Sequence, residues 1–84
     1  MKFKDIKVPK DMKFVDISTE KYRQYYYPST HRDIKYHVVQ VEEPIALSVS
    51  KSGGHRIILS DGISIYINTG WFFIKWKADP QFVI

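Results

Sequence analysis

The sequence predicts a small all-β domain, an antiparallel meander curled into a barrel or roll. Three observations carry this. Short runs rich in β-branched and aromatic residues succeed one another at residues 45–49, 55–60, 63–68 and 71–77. Glycine-containing turns separate them, Ser52-Gly53-Gly54, Asp61-Gly62 and Thr69-Gly70, and that is the signature of consecutive hairpins. Within each run every second side chain shares a face, so each strand offers one apolar face to a core.

Turn chemistry and face matching together predict a register. A three-residue loop, Ser60-Asp61-Gly62, pairs Leu59 with Ile63 and Ile57 with Ile65. It places Gly62 at the left-handed position of a type I turn with a G1 bulge, where a Cβ would be penalised. A two-residue loop would set apolar side chains opposite polar ones. At the next turn a two-residue loop, Thr69-Gly70, pairs Ile67 with Phe72, Ile65 with Ile74 and Ile63 with Trp76. A four-residue loop over 68–71 has the same parity. Ser52-Gly53-Gly54, taken as a three-residue loop, pairs Val49 with Ile57. The expected product is a four-stranded meander over residues 45–77. One face is aliphatic and aromatic. The other carries Ser48, Ser50, Arg56, Ile58, Ser64, Tyr66, Phe73 and Lys75, with Trp71 at one end.

The remaining segments are placed around that meander. Residues 1–13 are lysine-rich with Pro9 and read as extended, with residues 1–11 flexible. Residues 14–18 suit a short strand. Ser18-Thr19-Glu20 offers an N-cap, and Tyr22, Tyr25 and Tyr26 follow at helical spacing, so a short helix over 19–26 is one reading. Tyrosine favours strands, so a strand over 22–27 is the other. Residues 34–41 read as a strand, with Ile34, Tyr36 and Val38 on one face and His37, Val39 and Val41 on the other. Glu42-Glu43-Pro44 breaks into the meander. Ala78-Asp79-Pro80 turns the chain, and Phe82, Val83 and Ile84 are expected to pack on the sheet. Five or six strands in 84 residues make one domain, SH3-like or OB-like in size.

Composition narrows the function classes. There is no cysteine, so no disulfide or thiolate metal site is available, and a cytoplasmic location fits. The lysine-rich start lacks the apolar stretch of a signal peptide, and no apolar run approaches the roughly 18 residues of a membrane span. Residues 1–40 hold nine Lys/Arg against five Asp/Glu, and residues 41–84 hold four of each. The basic excess therefore lies in the first half. It falls short of a strongly cationic nucleic-acid binder.

No constellation points to catalysis, so the chain reads as a non-enzymatic protein. His31, His37 and His55 show no metal-ligand spacing and read as surface or hydrogen-bonded histidines. The serines sit on no recognisable elbow, and Asp61 and Asp79 fall in turns, where Asp bonds locally. Ser52-Gly53-Gly54-His55-Arg56 brings glycines and a cation together, yet no phosphate-loop motif or helix follows. No cofactor is implied. The informative feature is the outer sheet face, where Arg56, Tyr66, Trp71, Phe73 and Lys75 interleave aromatic and basic side chains. Such a set suits a protein partner. Together with the lysine-rich start it would also suit single-stranded nucleic acid. A covered face, with Tyr66, Phe73 and Ile58 under the 22–27 segment or the tail, is the structural alternative. An exposed edge strand would allow a homodimer by sheet extension.

The segment Ser52-Gly53-Gly54-His55-Arg56-Ile57, with Asp61-Gly62, Gly70-Trp71 and Lys75-Trp76-Lys77, resembles small phage- or prophage-encoded proteins of unassigned activity. The resemblance covers about the last forty residues. It implies a cytosolic accessory protein acting on host or phage machinery, and it supplies no catalytic residue.

Overall fold

Among residues 1–78, which the computed structural model describes, seven strands form two antiparallel sheets. They are β1 (Val15–Asp16), β2 (Glu20–Pro28), β3 (Tyr36–Glu42), β4 (Pro44–Val49), β5 (His55–Leu59), β6 (Ser64–Ile67) and β7 (Phe73–Ala78). The larger sheet runs β1-β4-β5-β6 and the smaller β3-β2-β7. No closed barrel forms among these residues. The only helical element among them is a 3-10 turn at Phe3–Asp5. The turn expected at Asp79-Pro80 and the packing of Phe82, Val83 and Ile84 lie outside the described residues.

The β5–β6 hairpin has the register its pattern predicts. Ile57 pairs with Ile65 and Arg56 with Tyr66, and the loop closes through Leu59 and Gly62, with φ +89° at Gly62. The β4–β5 hairpin uses the same device two residues out of the expected register. Leu47 pairs with Ile57 and Val49 with His55, so the loop is Lys51-Ser52-Gly53, with φ +93° at Gly53. The first of the two adjacent glycines, not the second, supplies the left-handed residue. Face parity survives a shift of two, which is why the apolar pattern did not expose it.

The fourth meander strand is a correction. β7 does not pair with β6; it pairs with β2, with Tyr25 opposite Ile74 and Tyr26 opposite Phe73. The expected pairs Ile67–Phe72, Ile65–Ile74 and Ile63–Trp76 do not form. The chain is drawn across between strands, where Phe72 N–H donates to Tyr26 O at 2.9 Å and Tyr27 Oη donates to Asn68 O at 2.6 Å. Ile74 still faces the core, and Phe73 and Lys75 still face outward. Alternation sets a strand's inner face but not its partner.

The 19–27 ambiguity resolves as strand. The Asp16 carboxylate accepts from Ser18 N–H at 2.9 Å and Ser18 Oγ at 2.6 Å. That local turn takes the place of the helix cap and launches β2. The core lies between the sheets around Ile17, Tyr25, Val41, Ile57 and Ile67.

Glu43 is the corner that joins the sheets. It is the one non-glycine residue with positive φ, +48°, among the described residues. It separates β3 in one sheet from β4 in the other. Its N–H donates to Lys21 O at 3.0 Å, its carbonyl accepts from Ser60 N–H at 3.1 Å, and its carboxylate accepts from Ser60 Oγ at 2.9 Å. The corner's backbone groups are thus satisfied by one sheet on each side, which holds a residue type that otherwise resists this conformation. Glu43→Val, which cannot adopt positive φ comfortably, should cost about 1–3 kcal/mol. Glu43→Gly relieves the strain while losing the Ser60 contact and should stay within about 1 kcal/mol of the parent. Urea denaturation of both variants checks this, and equal losses would show that backbone strain is not what the corner opposes.

Candidate functional site

The five residues expected to share a face fall in three places. Arg56 and Tyr66 are cross-strand neighbours on the larger sheet, the guanidinium 5.6 Å from the ring centre. Phe73 and Lys75 lie on the outer face of the smaller sheet, opposite Tyr26 and Gln24. Trp71 belongs to the core side, its ring 5.1 Å from Tyr25 and 4.8 Å from His55. The single aromatic and basic face does not exist, because β7 left the meander and took Phe73 and Lys75 with it.

In its place the smaller sheet builds an aromatic ladder across all three strands. The Tyr26 ring meets Tyr36 of β3 and Phe73 of β7, each at 5.2 Å between centroids. The 22–27 segment therefore touches Phe73, yet does not cover it. Tyr36 is 47% exposed, Val38 41% and Phe73 50%. Toward the other end the face turns polar. Gln24 Nε2 donates to Gln40 Oε1 at 2.8 Å, Tyr26 Oη donates to Gln24 Oε1 at 2.9 Å, and Gln40 donates to Glu42. Tyr26, Tyr36 and Val38 were missed as site residues. Their signal was the shared face of Tyr36 and Val38, which alternation provides; that this face is the outer one, and that β2 lies as a strand between β3 and β7, it leaves open.

The second feature is buried. Glu20 and Arg23 stand three apart on β2, a spacing that normally puts side chains on opposite faces. A register shift between Glu20 and Tyr22 brings them together, as a bulge does. Arg23 Nε and Nη2 then grip the two Glu20 oxygens at 2.8 and 2.7 Å. Arg23 Nη1 donates to Tyr25 Oη at 3.2 Å, and Tyr25 Oη lies 2.6 Å from His55 Nδ1. The Arg23 guanidinium also covers the Trp76 ring at 5.0 Å. Proton accounting sets the roles. Arg23 only donates, so Tyr25 accepts from it; the Tyr25 proton, wholly buried, has no acceptor within reach but His55 Nδ1, which assigns it there. His55 is then the neutral tautomer with its proton on Nε2.

Electrostatics agree. Burial, and then the Arg23 charge, lower the His55 pKa below 6.5. Burial raises that of Tyr25. Burial works against the Arg23 charge, but hydrogen bonds to Glu20 and Tyr25 outweigh it and its pKa is raised. The chain of four has every buried polar atom satisfied. It ties β2 to β5, one sheet to the other. Among the described residues no group of three or more His, Cys, Asp or Glu is placed to hold a metal ion, and no helix is long and apolar enough to cross a membrane.

Removing one partner of a buried ion pair strands the other. Glu20→Ala and Arg23→Ala should each cost about 3–5 kcal/mol, while Glu20→Leu with Arg23→Met together should cost less than either, a comparison made by denaturant unfolding. The pH dependence has a definite sign. A histidine whose folded pKa is lowered adds stability that is complete above its unfolded pKa of 6.5 and is lost as pH falls toward the folded value. Unfolding free energy should therefore drop below pH 6.5. His55→Asn, which keeps an acceptor near the Nδ1 position, should flatten that drop, and an unchanged profile would place the titration elsewhere.

Comparison with protein-family models, curated proteins and solved structures finds no match to this chain.

Proposed function

We propose that this protein is a non-enzymatic binding module that docks on a protein partner through the outer face of its three-stranded sheet. The observation that carries the reading is the ladder in which partly buried Tyr26 holds half-exposed Tyr36 and Phe73, with Val38 beside it. A contiguous apolar patch on a small domain is a docking feature, and tyrosine and phenylalanine dominate interface energetics. The rings already pack on one another, so little side-chain entropy is lost on docking. Lys75 and the paired glutamines form a polar rim of the kind interfaces use. On this reading the two sheets act as an open roll whose outer wall is the contact surface. The resemblance to phage- and prophage-encoded proteins directs the search to cytoplasmic host or phage proteins, with occlusion of the partner's own surface as the mechanism. A second copy of the chain, paired along the β7 edge, is the homodimeric form of the same idea.

A second reading, single-stranded nucleic acid, draws on Lys75 and Lys77 beside Phe73 on β7. It is weakened because lysines of the basic N-terminal segment line grooves against β1, β4 and β5 of the other sheet.

Phe73→Ala and Tyr36→Ala should each weaken capture of a crosslinked partner about tenfold or more, near 1.4 kcal/mol or above, with urea midpoints close to the parent. Arg56→Gln should leave it unchanged. Capture that survives both aromatic variants, or variants that unfold, would remove the face from the reading. Binding of an oligonucleotide that falls steeply with added salt would transfer the face to the second reading.

A further inference from the structure

The most unusual polar cluster outside the docking face is at the tip of the β4–β5 hairpin. Three hydroxyls meet there. Ser50 Oγ and Ser52 Oγ lie 2.8 and 3.0 Å from Tyr66 Oη, and 2.9 Å from each other. Ser50 Oγ also reaches Gly54 O at 3.2 Å. Three hydroxyls carry three protons. With the Ser50 proton given to Gly54 O, those of Ser52 and Tyr66 serve the contacts within the triangle, and a bound oxyanion would take them in exchange for those contacts. The triangle is held in place by a close approach. A Cβ at Gly54 would stand 2.2 Å from Tyr66 Oη and 2.5 Å from the adjoining ring carbon. Only glycine lets the Tyr66 ring lie where it does.

Beside this triangle runs a groove of about 420 Å³, between the hairpin and the N-terminal segment. Lys13, Lys51 and Arg56 line it, against a single carboxylate, Asp11. Glu20–Arg23 is the one ion pair among the described residues, so no groove cation has a carboxylate partner there. Arg56 lies over the Tyr66 ring, which holds the guanidinium without using its N–H fork.

We propose that this groove binds a phosphate monoester group. The Arg56 fork would take two phosphate oxygens, and the Ser52 and Tyr66 hydroxyls would donate to the oxyanion. Lys13 and Lys51 would supply the remaining charge. Three cations and one carboxylate leave a net +2, which matches a monoester near −2. A planar fork with hydroxyl donors suits a tetrahedral oxyanion. The site is on the larger sheet, independent of the aromatic docking face.

The test is a titration of ¹⁵N-labelled protein followed by amide shifts at constant ionic strength. The probes are inorganic phosphate, a short phosphoserine peptide and its unphosphorylated form. Both phosphorylated probes should shift the amides of residues 50–56 and 66 saturably, in a range of about 1–10 mM. The unphosphorylated peptide should not. Arg56→Gln should weaken binding about tenfold, and Gly54→Ala, which displaces Tyr66, several-fold. Phe73→Ala should bind like the parent, so that failure of the docking reading and failure of this one are separable. Tighter binding of the peptide than of inorganic phosphate would identify a phosphoprotein as the source, and equal binding a free phosphate. Unsaturable shifts spread over all lysines, or an Arg56→Gln variant titrating like the parent, would overturn the proposal. So would an oligodeoxynucleotide without terminal phosphate that binds more tightly than the monoesters.

Discussion

The hydroxyl of Tyr25 is the point on which the two sheets depend. Its residue is wholly buried, and the oxygen sits between an arginine that can only donate and a histidine nitrogen that must accept. An unpartnered hydroxyl or guanidinium at this depth would cost a few kcal/mol. The arrangement is therefore fixed in both directions: Glu20 must hold Arg23, and His55 must be neutral. Because Tyr25 is on β2 and His55 on β5, the same oxygen fixes how the sheets face each other. Trp71 closes the site from the β6–β7 connection, its ring against both.

Several irregularities are consequences of this one requirement. The register shift near Lys21 turns Glu20 onto the Arg23 face. The Lys21 carbonyl at that same irregularity receives the Glu43 amide, so the bulge in β2 also anchors the corner where the chain changes sheets. β7 takes the free side of β2 and sets Ile74 against Tyr25 in the core and Trp76 against Arg23. With β2 thus central, its alternate side chains point away from the core, and Tyr26 brings Tyr36 and Phe73 together on the outer wall. The exposed ladder and the buried chain are the two faces of one strand.

What the sequence disclosed was local. The β5–β6 hairpin was legible because an Asp-Gly turn and the isoleucine pattern are both within a dozen residues and agree. The cross-strand pairing of Arg56 with Tyr66 followed from it. The inner and outer faces of β7 were legible as well, since parity survives any change of partner. The partner itself was not, because the same alternation fits β2 as well as β6, and nothing in residues 69–77 distinguishes them. Trp71 read as a binding residue at one end of the outer face for this reason. The Glu20–Arg23 contact was hidden by a bulge that a period-two pattern cannot register. Tyr22, Tyr25 and Tyr26 fit a helical spacing as well as a strand, and only pairing on both sides decided between them.

The most direct test of this account is the ¹⁵N shift pair of the His55 imidazole, followed from pH 8 to pH 5. The structure requires a neutral ring at pH 7, with Nδ1 unprotonated and accepting, Nε2 carrying the proton, and a titration midpoint below 6.5. A proton on Nδ1 at neutral pH, or a midpoint at or above 6.5, would mean that Tyr25 does not donate to His55, and that the sheets are joined in some other way.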